Sequence, residues 1–134
     1  VSDAEVWVHN SSGKCDDIVE EAAEELGKGG SGAVKPYEVT TYEDFKARSV
    51  KGDGLEGHEM WQHSNIKNHG YGDTRLSTDT SKNNPVISLP HDVHLNVNKQ
   101  QYLFDGKNQT PFENIIYNAN IMYNIDDIPN EHVT

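Results

Sequence analysis

The clearest hydrophobic pattern in the chain runs from residue 110 to residue 123. Thr110 is a favoured N-cap residue type, Pro111 suits the first helical position, and Glu113 can complete a capping box with Thr110. Apolar residues then recur at helical spacing, at Phe112, Ile115, Ile116, Ala119, Met122 and Tyr123. This pattern predicts an amphipathic helix whose apolar stripe packs against the core.

Shorter patterns precede this helix. Thr40 or Thr41 can cap a short helix that carries Tyr42, Phe45 and Arg48, and the glycines of residues 52–54 indicate a turn. Residues 55–69 are expected to be partly helical, residues 70–82 to be a polar loop, and residues 83–89 to be a turn and a short strand. A further helix is predicted from residue 90. The expected apolar anchors of these segments are Met60, Trp61, Ile66, Val86, Ile87, Val93 and Val97.

The first 32 residues have a different character. Residues 5–8 alternate as a strand does, residues 16–26 combine helix formers with apolar positions four apart, and residues 27–32 are glycine-rich. We expect residues 1–15 to be a junction to a region upstream and residues 16–50 to be a helical and linker segment. Residues 51–134 are expected to form one small α+β domain, mostly helical, with a short β-hairpin or sheet.

Composition narrows the possible chemistry. The 134 residues carry a formal net charge of -11, which disfavours non-specific adhesion to nucleic acid unless local lysines and arginines neutralise phosphates at a site. The single cysteine, Cys15, excludes an internal disulfide framework and a cysteine-rich zinc site. No apolar run approaches the roughly 20 residues that a membrane span needs, and the start has no signal-peptide pattern.

The histidines are concentrated in the middle of the chain, where five of the seven lie from His58 to His94. Gly57-His58-Glu59 offers an imidazole that can act as a base, beside a carboxylate that can orient it or bind a metal. His63 lies four residues after Glu59 and shares a face with it if this segment is helical. Surface exposure of the triplet is the simpler alternative.

A second group of polar residues follows the predicted strand. Asn84 precedes it, and His94 and Asn98 are four residues apart on the predicted helix, a spacing at which two side chains can share one cation. The alternative is that Val93 and Val97 face the core while His94 is simply solvated.

These two groups resemble a nuclease family. Asn84, Leu89-Pro90, His94 and Asn98 are similar to the second half of the HNH/endonuclease VII motif of His-Me finger nucleases. Gly57-His58-Glu59 resembles the toxin branch that is named for its Gly-His-Glu motif. The resemblance covers about residues 48–104.

The resemblance implies a ββα-metal core with one divalent cation, Mg²⁺ or Zn²⁺. His58 would be the general base, and Asn84 would brace the loop. The metal would be held by His94 with help from Glu59, His63 or Asn98, although an asparagine oxygen suits Mg²⁺ better than Zn²⁺.

A second resemblance lies at Val8-His9-Asn10, which is similar to the end of the region before toxin domains in Rhs, WapA-like and contact-dependent growth inhibition proteins. It implies that the chain is the C-terminal toxin domain of a larger polymorphic toxin, delivered from a bacterial surface into the cytoplasm of a target bacterium. The implied partners are a nucleic acid substrate and a cognate immunity protein.

Three functions therefore remain open on the sequence. The first is a metal-dependent endonuclease toxin that cleaves DNA. The second is a metal-independent ribonuclease toxin acting on tRNA, in which His58, His63, Glu59 and Arg75 supply the acid–base chemistry. The third is a non-enzymatic acidic binding or immunity module, which the net charge favours.

Overall fold

The computed structural model describes residues 32–129. The expected strand at residues 5–8, the helix at 16–26, most of the glycine-rich linker and Val8-His9-Asn10 lie outside the described residues, as do residues 130–134. In chain order the elements are β1 (Val39–Thr41), α1 (Tyr42–Arg48), β2 (Leu55–Glu59), α2 (His63–Asn68), α3 (Asp79–Asn83), β3 (Pro85–Pro90), α4 (His91–Gln101), a 3₁₀ turn (Gly106–Asn108) and α5 (Pro111–Tyr123).

The three strands form one antiparallel sheet in the order β1-β3-β2. The central strand, β3, is buried along almost its whole length, which explains its apolar run. On the edge strand β2, His58 lies opposite Ile87 and Gly57 lies opposite Ser88. The sequence predicted the strand at β3, and α2 confirms that residues 55–69 are partly helical. The strand β2 at the start of this stretch was not predicted from the pattern. The α+β class with a short sheet is confirmed.

β2 and β3 are paired strands that α2 and α3 separate in the chain, and α4 follows β3. α4 begins directly after β3, with Pro90 at its N-cap, and packs on both strands. Val93 and Val97 are buried on the side of α4 that packs into the core, as their spacing predicted. The face of β2 that carries Glu56 and His58 is therefore covered by α4.

The helix caps follow local sequence rules. Thr41 accepts a hydrogen bond from the Asp44 backbone N–H at the start of α1, and Thr110 and Glu113 form the expected capping box on α5. Thr78 caps α3 in the same way. The prediction of a continuous polar loop over residues 70–82 was therefore wrong, because a capped helical turn begins at residue 79.

The apolar stripe of α5 is rotated relative to the prediction. Phe112 and Tyr123 are 39% and 50% exposed. Ile115 and Met122 are buried as predicted, and the buried face of α5 is completed by Asn114, Asn118 and Ile121. The rotation places two asparagines inside, where their side chains are hydrogen-bonded.

Residues on both sides of the expected boundary at residue 51 share one sheet. β1 pairs with β3, and Phe45 of α1 packs with Val34 and Val86 in a small cluster behind the sheet. The larger core lies on the other side, around Trp61, Ile66, Ile87, Leu89 and Met122. Residues 34–50 thus belong to the same folded unit as residues 51–129.

None of the helices within residues 32–129 combines the length and apolar character needed to cross a bilayer.

Candidate active site

A cavity of about 470 Å³ lies beside the edge strand β2. Because β2 has a neighbour on one side only, side chains from both of its faces reach this cavity. Its walls come from α1, β2, the start of α2, the loop before α3, and α4. The lining residues are Tyr42, Phe45, Lys46, Gly57, His58, Glu59, Gln62, His63, Ser64, Arg75, His94, Asn98 and Gln101.

The cavity gathers most of the sequence-predicted site residues. His58, Glu59, His63, His94 and Asn98 all line it, although they are spread over 41 positions of the chain. Asn84 does not line it. Asn84 is fully buried, donates from Nδ2 to the carbonyl oxygen of Trp61 at 2.7 Å, and braces the chain after β2.

Gly57 is required by close packing rather than by chemistry. A Cβ atom at this position would lie 2.8 Å from Cε1 of Phe45 and 3.0 Å from Cγ1 of Val86. The absence of a side chain lets α1 approach β2 and form one wall of the cavity.

His58 is a buried, neutral imidazole. It is 3% exposed, and its Nε2 has no hydrogen-bond partner within the described part of the chain. Burial, with a smaller effect of the nearby His94, lowers the pKa of His58 to about 3. The two rings meet edge to face, with centroids 5.8 Å apart.

His94 is the more accessible of these two histidines. Its Nδ1 lies 2.6 Å from Oε1 of Glu56, and its side chain is 18% exposed. The other oxygen of Glu56 lies 2.6 Å from Nδ1 of His91. Hydrogen bonds from the two histidines lower the pKa of Glu56, so this carboxylate stays ionised and acts as the acceptor. His94 therefore carries its neutral-state proton on Nδ1 and keeps the lone pair of Nε2.

Glu59 and Arg75 form an ion pair on the opposite face of β2, with Oε1 and Nε 3.3 Å apart. Burial raises the pKa of Glu59, and the Arg75 guanidinium opposes that rise only in part. Arg75 has 53% of its side chain exposed, so it can also meet a ligand. Burial and the Arg75 charge both lower the pKa of His63.

The residues expected to hold a metal share one cavity. His94, Asn98 and Glu59 all line the cavity. Nδ1 of His94 contacts Glu56, which leaves Nε2 as the free donor atom of this ring, whereas the carboxylate of Glu59 is paired with Arg75. Across residues 32–129, no three histidine, cysteine, aspartate or glutamate side chains converge as ligands of one ion.

Several lining residues carry no signal in the sequence that marks them as part of a site. Lys46, Gln62 and Gln101 reach the cavity from α1, the start of α2 and the end of α4. Glu56 could have been found, because residues two apart on a strand share a face and Glu56 precedes His58 by two.

The lining contains two cationic residues, Lys46 and Arg75, and one acidic residue, Glu59, which is the reverse of the overall charge balance.

No protein-family model matches the chain, and no curated protein or solved structure is significantly similar to it.

Proposed function

We propose that the chain is a nuclease that cleaves RNA by metal-independent general acid–base catalysis. The observation that carries this proposal is that one cavity brings together His94, which the Glu56 carboxylate orients, with Glu59, Arg75 and Lys46. Such a set supplies a base, an acid and two cations around one reacting phosphate. It also supplies the local positive charge that an acidic chain needs in order to bind a phosphodiester.

In the proposed reaction, Nε2 of His94 takes the proton of a ribose 2′-hydroxyl. The 2′-oxygen forms a bond to the adjacent phosphorus, and the bond from phosphorus to the 5′-oxygen of the next nucleotide breaks. On this proposal Arg75 turns from Glu59 to the phosphate, and Glu59, whose pKa is raised by burial, then holds a proton and gives it to that leaving oxygen. The products are a 2′,3′-cyclic phosphate and a free 5′-hydroxyl.

Arg75 and Lys46 are assigned to the negative charge that develops on the phosphate oxygens. His58 is assigned a supporting role behind His94, because its low pKa and buried Nε2 make it a poor proton acceptor for a substrate in the cavity. This assignment differs from the resemblance to His-Me finger nucleases, which gives the base role to His58.

Metal-assisted DNA cleavage is the second candidate. It is favoured by the packing of α4 on the paired strands β2 and β3, which brings His94 of α4 against His58 of β2. That is the arrangement expected of a ββα-metal nuclease. The pairing of Glu59 with Arg75 is the observation against it, because it engages one of the expected metal ligands.

The biological setting is proposed as interbacterial competition. The support is the resemblance of Val8-His9-Asn10 to the region before polymorphic toxin domains. On this proposal the chain acts in the cytoplasm of the target bacterium and is neutralised by an immunity protein in its producer. Induction in a bacterium without that protein should stop growth, and His94→Ala should restore it.

The discriminating experiment incubates the purified chain with tRNA and with supercoiled plasmid, each with and without EDTA. We expect tRNA to be cut in both conditions, with cyclic phosphate ends, and plasmid to stay intact. His94→Ala and Glu59→Gln should each slow cleavage by about 100-fold or more. Plasmid nicking that EDTA abolishes would select the second candidate, and no cleavage of either substrate, with healthy cells on expression, would favour a non-enzymatic binding module.

A further inference from the structure

We propose that Gln62 and Gln101 form a nucleobase-recognition subsite in the same cavity as His94. Gln62 presents an amide donor and Gln101 an amide acceptor, and two buried asparagines of α5 fix both orientations. The inference rests on the proposed function, because it concerns the nucleic acid strand whose phosphate the cavity would hold.

The orientation of the Gln62 amide follows from a backbone group. The backbone N–H of Gln62 donates to Oδ1 of Asn114 at 2.9 Å, which identifies that atom as the oxygen. The remaining atom, Nδ2 of Asn114, donates to Oε1 of Gln62 at 2.6 Å. Nε2 of Gln62 therefore keeps its N–H groups for a ligand.

The orientation of the Gln101 amide follows in the same way. Nδ2 of Asn118 donates to the backbone oxygen of Asn114 at 2.9 Å, which identifies Oδ1 as the opposite atom. This Oδ1 accepts a hydrogen bond from Nε2 of Gln101 at 2.5 Å. Oε1 of Gln101 is left as an acceptor on a side chain that lines the cavity.

The supporting asparagines are buried and linked to each other. Asn114 and Asn118 are both fully buried, and Nδ2 of Asn118 also contacts Oδ1 of Asn114 at 3.2 Å. Gly106 leaves space for the hydrogen-bonded pair of Gln62 and Asn114, because a Cβ at Gly106 would lie 2.3 Å from Oε1 of Gln62. A buried polar network of this kind holds its members in one arrangement, since breaking it leaves unpaired groups inside the protein.

A fixed donor and a fixed acceptor that line one cavity suit the hydrogen-bonding edge of a nucleobase. Adenine and cytosine offer an amino donor next to a ring-nitrogen acceptor, whereas guanine and uracil offer a carbonyl acceptor next to a ring N–H donor. The two orders are opposite, so a rigid pair anchored beside the scissile phosphate distinguishes the amino bases from the keto bases. We therefore expect cleavage to favour one of these two classes by about tenfold or more.

The test compares wild type with Gln62→Glu on random-sequence RNA, with both nucleotides at every cut identified by sequencing. The substituted carboxylate can still accept from Asn114, but it offers no donor to the cavity. The matched control is Gln100→Glu, the same change at a residue whose side chain lines a separate groove. Gln101→Glu is the second variant, and thermal unfolding checks that all variants remain folded.

Loss of the amino-versus-keto preference in Gln62→Glu, with the preference kept in Gln100→Glu, is the expected result. Cleavage without such a preference, or with one unchanged in both cavity variants, would overturn the subsite while leaving the proposed ribonuclease standing. If no RNA is cut, calorimetric titration with AMP, CMP, GMP and UMP decides. Binding that separates the two classes in wild type and not in Gln62→Glu supports the subsite, and equal or absent binding overturns it.

Discussion

Glu56 and His94 are joined by a contact of 2.6 Å between Oε1 and Nδ1, across the face that β2 shares with α4. The same carboxylate holds His91 through its other oxygen, so it fixes the side chains of two histidines one helical turn apart. The contact decides which nitrogen of His94 carries the proton in the neutral ring. It also places a negative charge where an imidazolium would form when His94 accepts a proton.

The first prediction concerns this contact. Glu56→Gln should lower kcat for RNA cleavage by about 10- to 100-fold with little change in KM, because the base loses its ionic partner while the cavity lining is unchanged. His91→Gln alters the contact at the other carboxylate oxygen and should stay within about threefold of wild type. Equal losses in the two variants would show that Glu56 acts through the stability of the helix rather than through His94.

A second prediction concerns the positive charge of the cavity. Lys46→Ala should raise KM for RNA and reduce the slope of log KM against log salt by about 0.7, the value for one phosphate contact on a single strand. Lys51→Ala removes the same charge from an exposed loop residue outside the cavity lining and should leave the slope unchanged. Rates measured from about 50 to about 300 mM salt are sufficient to separate the two variants.

The sequence was most informative where the signal was local. The capping box of α5, the cap at Thr41 and the valines of α4 each depend on residues within a few positions of one another, and each was confirmed. His58, His63 and His94 could be nominated because histidine is chemically distinctive and they lie in one stretch of the chain.

The remainder depends on contacts that the chain pattern does not encode. Asn114 meets Gln62 across 52 positions, and this pairing turns α5 so that Phe112 is exposed and asparagine is buried. Gly57 belongs to the Gly-His-Glu motif, but the need for a residue without a side chain comes from the contact with Phe45, which lies 12 positions earlier. Hydrophobic periodicity carries no information about such amide networks or about backbone approach between elements.

The third prediction tests this packing. Gly57→Ala should destabilise the fold by about 1–3 kcal/mol, since the added methyl group would overlap Phe45 and Val86 in a filled cluster. Adding Phe45→Leu should recover part of the loss, because it removes the closest ring atoms. Urea unfolding of the two single variants and the double variant measures the coupling between the sites. Strictly additive effects would contradict the proposed contact.

The last prediction concerns the proton balance of His58. The ordinary pKa of its imidazole is 6.5, which applies to the unfolded chain, and burial lowers the pKa to about 3 in the folded state because it penalises the charged ring. Between these values the unfolded chain binds one more proton, so His58 makes the folded state less stable as the pH falls below about 6.5.

A His58→Leu variant lacks this dependence. Its unfolding free energy should rise relative to wild type by about 2 kcal/mol between pH 7.5 and pH 5, at about 1.4 kcal/mol per pH unit below about 6.5. Paired urea titrations at both pH values measure the change, and a constant difference would mean that His58 titrates normally in the folded protein.

The same variant also tests the base assignment. A folded His58→Leu protein that has lost as much RNA cleavage as His94→Ala would return the base role to His58, because a supporting side chain should cost less activity than the group that accepts the proton.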